Sequence, residues 1–134
     1  MPDTNSANHT NDLTPTELEA FRRLLFFSVP EAAKSIAGVS EQAWRRWEGG
    51  SRKIPSDVGD KVVEILSWRN RTYSRLRQAI EKSSDKEVYP LLWYQAPEDW
   101  VGKEGGDVVY WRAYQSVCAV LADEFKGRVK LTPQ

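Results

Sequence analysis

Residues 29–50 read VPEAAKSIAGVSEQAWRRWEGG, and this stretch decides the fold of the first half of the chain. Pro30 suits the first turn of a helix, where its missing N–H costs nothing. Ala37-Gly38-Val39 places a helix breaker before an apolar residue and predicts a tight turn. Ser40 is predicted to cap a second helix over residues 41–48. The stretch therefore predicts a helix-turn-helix.

The second of these helices carries polar side chains on the side that its tryptophans leave free. Trp44 and Trp47, together with Ala43, form one apolar stripe. In helix-turn-helix proteins bound to DNA, arginine pairs with guanine and glutamine with adenine in the major groove. The predicted base contacts are Glu41, Gln42, Arg45 and Arg46. Gln42 and Arg46 are expected to read bases, and Arg45 to read a base or hold a phosphate.

The residues on either side of this helix are suited to a DNA backbone. Residues 49–53, GGSRK, form a predicted flexible loop with two cations. The predicted phosphate contacts are Ser40, Ser51, Arg52 and Lys53. The whole chain has 19 basic and 19 acidic residues and thus no net attraction for a polyanion. A local basic patch on a neutral chain favours a specific binder over a charge-driven one.

Two alternatives stay open on the residues alone. Arginines on an amphipathic helix are often only its solvated face, and many helix-turn-helix proteins never touch DNA. In the first alternative, the chain is a protein-interaction module, such as an antitoxin-like neutraliser that binds its partner with the aromatic C-terminal part. The other alternative is an RNA-binding post-transcriptional regulator. It would use the arginines interleaved with aromatics in residues 68–77, namely Arg69, Arg71, Arg75 and Arg77.

The neighbouring segments predict further helices. Thr14-Pro15-Thr16-Glu17 predicts the start of a helix that ends around Phe27. On it, Arg22 is predicted to pair with Glu48 and brace the recognition helix; an exposed pair of this kind contributes at most about 1 kcal/mol. A long helix is predicted to follow Ile54-Pro55 and to continue toward residue 80.

The C-terminal part is predicted to be a small α/β region. An edge strand near Pro90, a helix over residues 109–125 and a strand in the terminal GRVKLT are expected. This region holds more apolar surface than some 50 residues can easily enclose, so a homodimer contact is predicted. Its expected residues are Trp93, Tyr110, Trp111, Tyr114, Val117 and Leu121.

Other classes of protein are disfavoured by what the sequence contains. His9 is the only histidine and lies in a polar stretch, so no histidine dyad or metal site is predicted. Cys118 stands in an apolar run and is expected to be a core residue. No cofactor, no catalytic residue and no membrane association are predicted, and with no export signal and one cysteine the expected location is the cytoplasm.

Two motifs together give a resemblance to a known family. The helix-turn-helix stretch and the later W-R-x-Y-Q-S-V of residues 111–117 resemble the YdiL-like proteins and the related repressors of phages encoded beside anti-CRISPR genes. The resemblance implies a lambda-repressor-like bundle, a dimerising C-terminal part and repression of the protein's own operon. Relatives near anti-CRISPR genes are also thought to act on messenger RNA. Gln42 stands where the phage regulators tend to have arginine, which implies a different operator.

The expected fold class is therefore mainly α, a lambda-repressor-like helix-turn-helix bundle with a small C-terminal α/β dimerisation part. The expected domains are a disordered tail over residues 1–13, a DNA-binding domain over 14–83 and a dimerisation region over 84–134. The expected function is that of a homodimeric repressor that reads an inverted repeat in double-stranded DNA.

Overall fold

A computed structural model describes residues 12–84 and 86–134 of the chain. The described part is mainly helical with a two-stranded sheet, as predicted. In chain order the elements are α1 (Pro15–Leu24), α2 (Val29–Ala32, extended by a π-helical turn over Ala33–Ala37), α3 (Glu41–Glu48), α4 (Ser56–Lys82), β1 (Tyr89–Trp93), α5 (Pro97–Asp99, extended by a π-helical turn over Trp100–Glu104), a 3-10 turn (Val108–Tyr110), α6 (Trp111–Glu124) and β2 (Val129–Pro133). Most of the predicted tail, residues 1–11 with His9, lies outside the described residues.

The chain divides into two compact units, of which the first ends at Leu66 and the second begins at Ser67. This division falls inside α4, whereas the change in composition placed it after Ser83. The second half of α4 carries Leu76 and Ile80, which pack in the core of the second unit. Periodicity along a continuous helix gives no sign that its two halves belong to different cores.

In the first unit, paired side-chain caps start α1 and α2. The Thr14 hydroxyl accepts a hydrogen bond from the Glu17 backbone N–H, and the Glu17 carboxylate accepts one from the Thr14 N–H. Ser28 and Glu31 make the same reciprocal pair at the start of α2. Each pair satisfies two backbone N–H groups that lack helical partners. The sequence predicted the first of these boxes and missed Ser28 as the cap of the second.

Left-handed residues end both helices. Phe26 has a φ of 67°, and the N–H groups of Phe26 and Phe27 turn back to the carbonyls of Arg23 and Arg22. Helix α1 therefore ends at Leu24, before the predicted end at Phe27. Gly38, with a φ of 63°, ends the π-helical turn after α2 and forms the predicted turn. The hydroxyl of Ser40 then accepts the Ala43 N–H and caps α3, as predicted.

The second unit is built on a parallel pair of strands. Tyr89 of β1 lies opposite Val129 of β2, and Trp93 lies opposite Pro133. One core of this unit joins α4, both strands and α6; its fully or almost fully buried members are Ile80, Leu91, Val117, Cys118, Leu121 and Val129. The guanidinium of Arg128 donates to the carbonyls of Ile80 and Ser83 and so covers the C-terminal end of α4.

Each helix in residues 12–84 and 86–134 falls short of the length or the apolar character that crossing a bilayer requires.

Candidate nucleic-acid interface

Helix α3 has one buried side and one exposed side. Trp44 and Trp47 are buried, with ring centroids 5.5 Å apart. At about 100° of rotation per residue, the remaining polar side chains occupy one continuous arc of the helix. We call this arc the α3 polar face; its members are Glu41, Gln42, Arg45 and Arg46, and all four are exposed. The structure thus brings the four predicted base-contacting residues together on one face.

The four side chains of the α3 polar face differ in what they already contact. Arg45 donates from Nε and Nη2 to Oε2 of Glu41, at 3.2 and 2.9 Å. No hydrogen bond or ion pair of the Gln42 or Arg46 side chain occurs within the described residues. Gln42 and Arg46 are therefore available to a ligand with all their donors and acceptors, whereas Arg45 has Nε and one N–H of Nη2 engaged by Glu41.

A buried ionic cluster holds the other side of α3. The Glu48 carboxylate accepts hydrogen bonds from Arg22 Nε at 2.6 Å, from Arg22 Nη2 at 3.2 Å and from the Trp44 indole N–H at 2.6 Å. Arg22 also donates to the carbonyl of Phe27 at 3.0 Å. We call these residues, Arg22, Phe27, Trp44 and Glu48, the Glu48 cluster. It ties α1, the turn after it and α3 together.

The predicted Arg22–Glu48 ion pair is thus confirmed, in a buried setting. The two side chains are only 9% and 11% exposed, whereas the sequence predicts an exposed pair. The Trp44 indole and the Phe27 carbonyl were missed as partners. The first had a signal in the sequence, because Trp44 and Glu48 are four residues apart and lie on the same side of a helix. The Phe27 carbonyl as a partner of Arg22 depends on the left-handed turn at Phe26.

The loop after α3 folds back onto the end of the helix. The backbone N–H groups of Ser51 and Arg52 both donate to the Arg46 carbonyl, at 3.0 and 3.2 Å, and Gly50 adopts a φ of 80°. The loop predicted to be flexible is therefore held by hydrogen bonds. Arg52 and Lys53 are exposed, and neither makes an ion pair within the described residues. Ser51 is exposed as well and donates weakly to the same carbonyl at 3.4 Å.

The four arginines of α4 do not form a uniform cationic face. Arg69 donates to the buried hydroxyl of Ser116 at 2.8 Å, and burial lowers the pKa of its guanidinium from the ordinary value. Arg77 is paired with Glu124 and Glu81, at 3.0 and 2.9 Å. The same Glu124 also accepts a hydrogen bond from Tyr73, and these bonds lower the pKa of its carboxyl. Only Arg71 and Arg75 of the four are exposed and unpaired within the described residues.

The motif of residues 111–117 anchors the end of β1. The Trp111 indole N–H and the Gln115 amide both donate to the carbonyl of Tyr94, at 2.7 and 3.0 Å. The guanidinium of Arg112 lies over the Trp111 ring, 4.1 Å from its centroid. The Ser116 hydroxyl accepts a hydrogen bond from Arg69 and donates one to the Ala113 carbonyl. The side chains of this motif therefore stabilise the second unit through hydrogen bonds within it.

Burial corrects the predicted dimer contacts. Trp111, Val117 and Leu121 are buried within the single chain, so their side chains are occupied by the unit's own core. Trp93, Tyr110 and Tyr114 are partly buried and pack against the two clusters of this unit. The second half of α4 contributes Ile80 to the core that buries Val117 and Leu121, and the sequence division at residue 83 had left this half of the helix out.

The second unit also contains an aromatic cluster. It contains Trp68, Tyr94, Trp100, Tyr110, Trp111 and Tyr114, with Trp68 and Tyr110 stacked at 4.7 Å between centroids. Burial raises the pKa of Tyr94 to about 12, with a hydrogen bond to Glu104 as the second cause. A Cβ added at Gly106 would lie 2.7 Å from the Trp100 indole, so glycine is required there for close packing.

Among residues 12–84 and 86–134, no group of three or more histidine, cysteine or acidic side chains is placed to hold a metal ion. Cys118 is fully buried, and this burial raises the pKa of its thiol to about 12. The thiol is therefore protonated at neutral pH and shielded from reagents, as expected of a core cysteine.

The fold and the α3 polar face define a class: small, mainly helical proteins that present an arginine-bearing helix directly after a glycine turn. The chain belongs to the Aca2/YdiL-like family, whose model matches residues 13–129. It is 32% identical over 113 residues to the Aca2 repressor of Pectobacterium phage ZF40, covering 84% of this chain and 95% of that protein. It is 31% identical over 115 residues to the uncharacterized protein YdiL of Escherichia coli K12, covering 78% of this chain and 89% of that protein.

Proposed function

We propose that this protein is a sequence-specific DNA-binding transcriptional regulator, a homodimeric repressor that reads an inverted repeat through α3. One observation carries the proposal: the α3 polar face is exposed and includes two unpaired base-reading side chains, while the Glu48 cluster fixes the opposite side of the helix. A fixed helix reduces the ordering cost of binding. The family supports the same role, because the phage relative is named a repressor.

In this proposal α2 and α3 act as a helix-turn-helix, with α3 in the major groove. Gln42 pairs with an adenine and Arg46 with a guanine, the pairings that major-groove geometry favours. Backbone phosphates are held by Ser40, Ser51, Arg52 and Lys53, which flank the two ends of α3. Two protomers would place their α3 helices in half-sites about 34–36 Å apart, one turn of DNA. Covering a promoter in this way represses transcription without a small ligand.

We place the proposed dimer contact in the second unit, on residues whose side chains are not buried by that unit's own core. Of the predicted set, Trp93, Tyr110 and Tyr114 keep partial exposure and remain candidates for the contact. Sedimentation equilibrium at micromolar concentration is expected to give the mass of two chains. A mass of one chain, both free and in the presence of operator DNA, would exclude the dimer.

The proposal is tested by a salt titration of binding to the duplex directly upstream of the protein's own gene. A shuffled duplex of equal length and composition is the control. We expect preference for the native duplex at physiological salt and a steep loss of affinity as salt rises, because bound counterions are released. Weak and equal binding to both duplexes would contradict autoregulation and would leave two alternatives, an operator elsewhere or a protein partner, of which a pulldown tests the second.

Arg46→Ala and Lys53→Ala are expected to weaken DNA binding in different ways. Loss of Arg46 should cost about 1–3 kcal/mol on the operator and relax the preference for one base pair. Loss of Lys53 should weaken operator and random duplex alike and reduce the salt slope by about one. Binding isotherms of both variants on both duplexes measure this difference. If the two variants affected operator and random DNA equally, the assignment of Arg46 to a base and Lys53 to a phosphate would be wrong.

RNA binding is a second candidate function, favoured by the exposed and unpaired Arg71 and Arg75. Arg71→Glu/Arg75→Glu is expected to abolish binding to the protein's own messenger RNA leader and to leave operator binding unchanged. Arg77→Gln is the control, because Arg77 is engaged by Glu81 and Glu124 and should matter little to RNA. Gel shifts with both nucleic acids give the comparison. Equal loss of RNA and duplex binding in the double variant would exclude a separate RNA site.

A further inference from the structure

The ion pair on the α3 polar face leaves a particular set of donors and acceptors free. Arg45 uses Nε and one N–H of Nη2, and both reach the same oxygen, Oε2 of Glu41, at 3.2 and 2.9 Å. Within the described residues no hydrogen bond reaches Oε1 of Glu41. The end of the guanidinium, formed by Nη1 and the second N–H of Nη2, is also free. The pair therefore presents two donors beside one acceptor.

This order of groups matches one base-pair edge in DNA. In the major groove, guanine offers two acceptors, N7 and O6, and the cytosine paired with it offers a donor, the N4 amino group. The free end of Arg45 matches N7 and O6, and the free oxygen of Glu41 matches the cytosine amino group. An A·T pair offers an acceptor, a donor and an acceptor in that row and does not match. Arg45 need not leave Glu41 in order to bind.

We propose that Glu41 and Arg45 read one G·C base pair as a single unit, with Glu41 as the residue that determines specificity for the cytosine. This inference rests on the proposed function, because it requires α3 to lie in a major groove. It adds a role that single-residue pairing rules do not supply: the carboxylate both orients the arginine and reads the second base.

A comparable ion pair elsewhere in the chain shows what an ordinary surface pair looks like. Glu19 and Arg23 of α1 are also four residues apart, with an N–O distance of 3.0 Å and side chains 44% and 69% exposed. The Glu41 and Arg45 side chains are 47% and 60% exposed at 2.9 Å. The two pairs differ in place, since only the second lies beside Gln42 and Arg46. An acid on a surface that meets phosphates weakens general affinity, so its expected benefit is specificity.

The test begins with selection of duplexes from a random library by the unchanged protein, followed by chemical substitution in the selected motif. Each cytosine of the motif is replaced in turn by N4-methylcytosine, which still pairs with guanine but no longer offers its major-groove N–H. We expect one such position to weaken binding of the unchanged protein about tenfold, the size of one good base contact. Glu41→Ala should be insensitive to methylation there and should bind random duplex more tightly.

Glu19→Ala is the matched control and should behave as the unchanged protein at every position. The inference is overturned if methylation of every cytosine affects Glu41→Ala and the unchanged protein equally, even though the unchanged protein selects a defined motif. In that result the proposed function stands and only the paired reading fails. If the unchanged protein selects no motif, the proposed function fails and this inference fails with it.

Discussion

Arg22→Met is expected to lower the free energy of unfolding of the first unit by about 3–5 kcal/mol, the usual cost of removing one partner from a buried ion pair. The Glu48 carboxylate, whose side chain is 11% exposed, would lose two of its three donors. The Phe27 carbonyl would also lose its side-chain donor. Methionine keeps much of the length of the aliphatic stem, so the loss reports on the guanidinium and not on a cavity.

Denaturant titration measures this effect, and hydrogen exchange of the α1 and α3 amides localises it to the first unit. Arg23→Met is the matched control, because the adjacent Arg23 makes an exposed pair with Glu19 and should cost less than about 1 kcal/mol. Adding Glu48→Gln to Arg22→Met should recover part of the loss, since the buried charge is removed and the amide oxygen still accepts the Trp44 indole. A cost for Arg22→Met no larger than that for Arg23→Met would show that the Glu48 cluster does not hold this unit together.

Leu121→Ala is expected to lower the free energy of unfolding of the second unit by about 2–5 kcal/mol, as large-to-small changes in a core do. Leu121 is 0% exposed and packs with Ile80, Val117 and Val129, so truncation removes apolar contacts and leaves a cavity. This prediction also decides the role of the residue, because the sequence had placed Leu121 at a dimer interface.

Val120→Ala is the neighbouring control, since Val120 is 37% exposed and is not part of that core. It should change the free energy of unfolding by at most about 0.5 kcal/mol. Denaturant titration and sedimentation of both variants are the measurements. If Leu121→Ala retained the stability of the unchanged protein and shifted a dimer to a monomer, Leu121 would be an interface residue and its burial within the chain would be misassigned.

Local sequence patterns determined most of the helix starts and turns of the first unit. Ser40 predicts the start of α3 and Gly38 the preceding turn, because a side-chain cap and a left-handed glycine act on residues next to them in the chain. The alternation of Trp44 and Trp47 with polar residues predicted which side of α3 is exposed. The Arg22–Glu48 pair was also predicted, because Arg22 lies one position off the apolar stripe with which α1 was expected to cover the helix-turn-helix.

Only the tertiary structure decided features that depend on burial and on partners distant in the chain. It showed that Arg22 is buried and that the Glu48 side chain is only 11% exposed, and it divided the arginines of α4 between Ser116, Glu124 and solvent. It also assigned Leu121 to a core to which α4, β1 and β2 contribute. Sequence periodicity shows which side of a helix is apolar, but whether that side is covered by the same chain or by a partner depends on long-range packing. The sequence by itself therefore determined the order of the elements and the α3 polar face, and the tertiary structure decided which charges remain free for a ligand.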